Sequence, residues 1–148
     1  MAVKTGVSLS WGGFDKVVGK ASAKFGDSKK ALMASVGEAL VSSTIKRFDA
    51  EESPDGQKWQ PSKRAAAESG KTLTDTARLR KSIDYAATAS KVMVGSNVVY
   101  ARIHQMGGKA GKGHKLTVPA RPYLGVSKED MEEVKAILAD FLAGTFTP

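Results

Sequence analysis

The sequence predicts an α+β domain. It comprises an antiparallel sheet of at least four strands, open or closed into a barrel, a long helix in the N-terminal half, a C-terminal helix and a flexible N-terminal arm. Three observations predict it. Apolar residues recur at helical spacing through 29–48, the period drops to two between Ile83 and Ile103, and helical spacing returns from Ser127 to Phe141. The breaks between the period-two runs are short. They allow hairpins, whereas parallel pairing needs crossovers of about a dozen residues.

Residues 1–28 read as an arm or edge strand with a mobile connector: Val7, Leu9 and Trp11 alternate, Gly12-Gly13 interrupts, and a Lys/Gly/Ala/Ser segment follows. Residues 29–148 read as the single folded domain. Asp27 or Ser28 is placed to cap a helix over about 29–48, whose stripe is Met33, Val36, Leu40, Thr44 and Phe48, widened by Leu32 and Ile45. Pro54-Asp55-Gly56 then makes a tight turn, Pro setting φ and Gly supplying a positive one. Trp59, alone between Pro54 and Pro61, reads as a plug that fastens this loop to the core. Lys63–Ser69 forms a short surface helix stopped by Gly70, and Thr74 or Asp75 caps a helical turn running to Ser82.

Alternation at Ile83, Tyr85 and Ala87, at Val92 and Val94, and across Val98–Ile103 predicts a three-strand meander. Residues 107–113, GGKAGKG, form a projecting loop too flexible and too basic to pack, and Leu116-Thr117-Val118 return to the sheet. Ser127-x-x-Asp130 is a capping box, and Glu129–Glu133 load the first turn of a helix with the charge its dipole favours. Met131, Val134, Leu138 and Phe141 line that helix, and Gly144 ends it.

The 148 residues include no cysteine, which removes disulfides, thiolate nucleophiles and Cys-ligated metals. No apolar run approaches the ~20 residues of a membrane span, and Met1–Trp11 lacks a secretory core. The expected setting is the cytoplasm, with no membrane partner. The formal charge of +8 is unevenly laid out: residues 85–128 hold seven Lys and Arg and no carboxylate. Acidic residues gather instead in Asp49–Asp55 and Glu129–Glu133, so the monomer presents faces of opposite sign, able to stack head to tail.

Motifs for catalysis are missing. The glycine and lysine tract fits neither a P-loop nor a dinucleotide fingerprint, and no cofactor is implied. His104 and His114 have Asp84 and Glu129 as their nearest carboxylates in sequence, which disfavours a metal site. His104 reads as a strand-end residue bonded to backbone. No serine sits in a nucleophile elbow, so the chain does not read as an enzyme. The 85–128 interval mixes Lys and Arg with Tyr85, Tyr100, His104 and Tyr123, which leaves a free-standing, sequence-independent nucleic-acid binder as the alternative function.

A series of blocks carries a family resemblance. These are Arg47-Phe48; Ser53-Pro54-Asp55-Gly56-x-x-Trp59 with Pro61; Leu73-Thr74-Asp75-Thr76-x-x-Leu79-x-x-Ser82-Ile83; Val94-Gly95-Ser96; Tyr100-Ala101-x-Ile103-His104-Gln105-x-Gly107-Gly108; and Val118–Gly125. In this order, over about residues 30–142, the chain resembles the phage virion morphogenesis family, which includes tail completion proteins of Mu-like contractile-tailed phages. Ala77 stands where that family often has Gly, and residues 1–28 match nothing recognised.

The resemblance implies a structural virion protein of the neck or tail top. It would assemble in the host bacterial cytoplasm as a ring, most plausibly a hexamer, around the DNA channel. Its implied partners are copies of itself, the connector, tail tube and sheath, and passing DNA without sequence specificity. Spacing and resemblance together nominate Asp55, Trp59, Tyr100, His104, Arg121 and Tyr123 for oligomer or partner contacts, with Trp59 pinning the acidic loop and Arg121 making an intermolecular or loop-fixing ion pair. Arg102, Lys109, Lys112 and Lys115 are nominated to face the DNA channel or an acidic neighbour.

Overall fold

The long helix forms where its stripe predicts. In the computed structural model, which describes residues 5–9 and 28–144, α1 spans Ser28–Ala50 and buries Leu32, Met33, Val36, Leu40, Thr44 and Phe48. It packs on a three-stranded antiparallel sheet of β1 (Thr5–Leu9), β2 (Asp84–Ala87) and β3 (Val92–Ser96), ordered β1-β3-β2. Tyr85 pairs with Val94 and Ala87 with Val92, so these side chains share one face, and Val92 and Val94 are buried. Helix and sheet approach closely at Gly37. A Cβ there would lie 2.5 Å from the Tyr85 ring, so only glycine lets the ring lie against the helix.

The N-terminal segment supplies an edge strand, with Val7 opposite Val94 and Leu9 opposite Val92. The expectations for Trp11, Gly12-Gly13, the lysine-rich connector and the Asp27 cap lie outside the described residues. At the other end, the last helix (Lys128–Leu142) carries the expected Ser127/Asp130 capping box and buries Val134 and Phe141 against α1. Two short helices, α2 (Lys63–Glu68) and α3 (Arg78–Lys81), lie between α1 and β2.

Five expectations are corrected. Val98–Ile103 is not a strand: Ala101–Met106 forms helix α4, with Val98 and Ala101 buried three residues apart and Val99 83% exposed. The glycine and lysine tract is not simply a loop. It forms a hairpin of β4 (Gly108–Ala110) and β5 (Leu116–Val118) around a 3-10 turn at Lys112–His114. Leu116–Val118 therefore pairs within this hairpin and does not return to the main sheet. The five described strands divide three and two, with no closed barrel among the described residues. Gly107, at φ 72, turns the chain out of α4; a Cβ there would lie 2.8 Å from the Ala120 backbone nitrogen. The helical turn before Ser82 is also later than expected. It is introduced by Ala77 in the left-handed region, not capped by Thr74 or Asp75. The last helix, Lys128–Leu142, is α5.

Candidate functional site

The most connected polar group lies between α1, α5 and the loop before α5. Arg47 sits among the apolar residues of α1 and is 6% exposed. Its Nη1 donates to the carbonyls of Tyr123 at 3.0 Å and Gly125 at 3.1 Å. Its Nη2 donates to Ser43 Oγ at 3.3 Å and pairs with the Asp130 carboxylate. Asp130 also accepts from the Ser43 hydroxyl and, at 2.9 Å, from the Ser127 backbone N–H, closing the capping box. Burial pushes the Asp130 pKa up, but the bonds from Ser43 and Ser127 and the Arg47 charge outweigh it and hold the carboxyl below its usual range. Helix capping and the tie between two helices thus share one carboxylate.

A second junction fixes the segment 119–125. The side chain of Gln105 on α4 bonds to its backbone. Its Oε1 accepts from the backbone N–H of Tyr123 at 3.1 Å and Leu124 at 3.0 Å, and its Nε2 donates to Leu124 O at 3.0 Å. Tyr123 is fully buried, its hydroxyl donating to Ala101 O at 2.7 Å and its pKa raised by burial. Its ring lies 5.2 Å from Phe48, which meets Trp59 edge-on at 5.6 Å. Trp59 Nε1 donates to Pro122 O at 2.8 Å, which fastens the 51–59 loop to the core as the plug reading expects.

The nominated residues therefore divide. Trp59, Tyr123 and Arg121 are buried in the subunit, Arg121 in the wall of a cleft. No ion pair of Arg121 occurs among the described residues; its Nε donates to Gln60 O at 2.7 Å, so the loop is fixed by a carbonyl and not by a carboxylate. Asp55 is exposed at the tip of the turn closed by Gly56 N–H to Ser53 O at 2.9 Å, and it accepts from the Ser53 hydroxyl. Tyr100 is 37% exposed, its ring edge-on to His104 at 5.8 Å and under the Arg78 guanidinium at 5.9 Å. His104 is half-buried, and its Nδ1 has no hydrogen-bond partner among the described residues. Burial, then the Arg121 charge, pushes its pKa down. Arg102, Lys109, Lys112 and Lys115 are all exposed, three of them on the β4–β5 hairpin.

Sequence reasoning named Arg47, Gln105 and Asp130 without giving the first two a role. A charged residue three positions after Thr44 inside an apolar stripe was the available signal for Arg47. Among the described residues no group of three His, Asp or Glu is arranged to hold a metal ion, and no helix is long and apolar enough to cross a membrane.

The buried polar side chains here are committed to backbone carbonyls, caps and loop anchors. They hold the surface loops at fixed positions. The chain belongs to the phage virion morphogenesis family, whose model matches residues 9–143. It is 34% identical over 110 residues to the Mu-like prophage FluMu G protein 2 of Haemophilus influenzae, covering 74% of this chain and 75% of that protein. It is 32% identical over 115 residues to the putative capsid assembly protein G of Escherichia phage Mu, covering 71% and 74%. No solved structure matches it. The family match reaches back to residue 9, so much of the N-terminal segment belongs to the family pattern, contrary to the expectation that it starts near residue 30.

Proposed function

We propose that this protein is a structural component of the neck or tail top of a Mu-like phage, completing the tail or joining it to the head as a ring, with six subunits. The observation that carries the reading is the family match across nearly the whole chain, 9–143. The name of the phage Mu relative, a putative capsid assembly protein, supports a role at the head-proximal end of the tail. A ring needs heterologous contacts between unlike patches. The separation of acidic residues on the 49–55 loop and on α5 from the basic 85–128 interval supplies unlike patches. The flanking partners are then connector, tail tube and sheath proteins, and Lys109, Lys112 and Lys115 face the channel or an acidic neighbour.

The test is a phage with a stop codon at Trp59. Heads and tails accumulate unjoined, or tails lack their normal end, and the chain supplied in trans restores infectious particles. Normal infectivity without the protein overturns the reading. Free-standing DNA binding is the second reading, favoured by the exposed lysines of the β4–β5 hairpin. It requires an affinity that falls steeply and linearly in log salt for the isolated chain.

A further inference from the structure

A cleft of about 380 Å³ opens between the 62–79 segment and α4, lined by Arg64, Leu73, Arg78, Tyr100, His104 and Arg121. Its charge is unbalanced. Of its three guanidiniums, Arg64 pairs with Glu68 at 3.4 Å and Asp75 at 3.8 Å. Among the described residues, the guanidinium of Arg121, which is 6% exposed, has only the Gln60 carbonyl as partner, and that of Arg78 only the Tyr100 ring face. A buried guanidinium without a counter-charge is costly, because desolvation is not repaid by an ion pair. Two cations without a carboxylate partner at one concave site call for an anion.

We infer that this cleft is the receiving half of the contact between neighbouring copies of the chain, and that it takes the α5 carboxylates Glu129 and Glu133 of the next copy. The inference rests on the ring reading and names the surfaces that make it. Most other described carboxylates are already engaged within the subunit. Asp49 pairs with Arg80 at 3.1 Å, Glu52 with Lys58 at 3.4 Å, and Glu51 accepts from Thr72 N–H at 2.7 Å. Asp55 accepts from Ser53, and Glu38 from Tyr85 Oη at 3.3 Å. Glu129 and Glu133 are exposed, make no ion pair or side-chain hydrogen bond among the described residues, and lie four positions apart on one side of α5. The cleft and the first turns of α5 share no residue. Made head to tail, such a contact is heterologous and can propagate around a ring. A DNA phosphate fits less well, since the wall of the cleft includes Leu73 and Leu79, and the exposed lysines that would track a backbone lie on the separate hairpin.

The experiment is self-association of the full chain, followed by sedimentation and native mass spectrometry at low salt. Arg78→Glu and the double change Glu129→Lys/Glu133→Lys each weaken association by about tenfold or more. A chain carrying both sets of changes regains it, and all variants keep the wild-type melting temperature within about 3 °C. Association of the wild type that neither reversal weakens overturns this contact and leaves the ring reading standing. Wild-type chains that stay monomeric up to the solubility limit and never enter particles overturn both. If Arg78→Glu abolishes binding of a duplex oligonucleotide and leaves self-association unchanged, the occupant is phosphate and the inference fails.

Discussion

Arg47 and Asp130 show how one buried pair sets both stability and its pH dependence. They are 6% and 4% exposed, and each has further partners that a lone ion pair would lack: two carbonyls for the guanidinium, Ser43 and Ser127 for the carboxylate. Removing one member leaves the other charged, buried and under-paired, which costs about 3–5 kcal/mol. Arg47→Met should lose that much in urea unfolding at pH 7, and a loss below about 1 kcal/mol would mean that water repairs the site. The acid response follows from the carboxyl. Its folded pKa is lowered, so the unfolded chain binds its proton first as pH falls. The pair's contribution is complete above the ordinary carboxylate value near 4 and is lost as pH drops through the folded value. Asp130→Asn should therefore lower stability at neutral pH and flatten the decline below about pH 4, both read from unfolding midpoints across a pH series.

At the scale of elements, short pieces are held by specific atoms and not by their own propensity. Helix α4 has six residues, and the segment 123–124 beside it is bound through Gln105. Gln105→Glu keeps the acceptor for two backbone N–H groups but replaces the donor to Leu124 O with a second acceptor. The charged isostere should thus cost about 1–3 kcal/mol and be no better tolerated than Gln105→Ala. Equal stability to wild type would remove the clamp from the account. Ala77 introduces α3 at φ 60, a conformation that costs an L-residue about 1–2 kcal/mol. Ala77→Gly should raise stability by about 0.5–1 kcal/mol once glycine's greater unfolded-state entropy is set against that cost, measurable as a higher melting temperature.

These same elements mark how far the sequence was legible. The stripes of α1 and α5, the Ser127/Asp130 box, the Pro54–Gly56 turn and the Trp59 plug rest on local rules, and the structure has them. The stretch Val98–Ile103 was misread because both of its alternating phases contain apolar residues, so a period of two distinguishes no face. Helix α4 wins there through tertiary bonds that Gln105 and the Ala101 carbonyl make to the 123–124 segment, far along the chain. The three-residue strands β4 and β5 carried too few residues to show a period at all. Of the candidate contact residues, Arg121 and Tyr123 were legible as important but not as interior, since burial of an Arg between two prolines depends on Gln60 across the fold.

For the whole molecule the governing feature is that its charges are sorted onto separate bodies. The unpaired cations of the cleft belong to the packed domain, whereas Lys109, Lys112 and Lys115 project on a hairpin whose residues 111–117 are all exposed. Among the described residues only Lys109 has a side-chain partner there, Thr117 Oγ1 at 2.9 Å. Reversing all three to Glu should therefore leave folding nearly untouched, with a melting temperature within about 2 °C of wild type, as surface changes stay within about 0.5 kcal/mol each. It should also leave self-association intact if subunits mate through the cleft and α5. What should change is attraction to polyanions. With Arg102, the hairpin supplies four exposed cations, so duplex DNA binding by the native chain should show a log–log salt slope no steeper than about −3.6, and the triple reversal should abolish it. A steeper slope would require further cations in the DNA contact. A triple variant that folds but no longer self-associates would instead make the hairpin part of the subunit contact, turning its lysines from the channel toward an acidic neighbour.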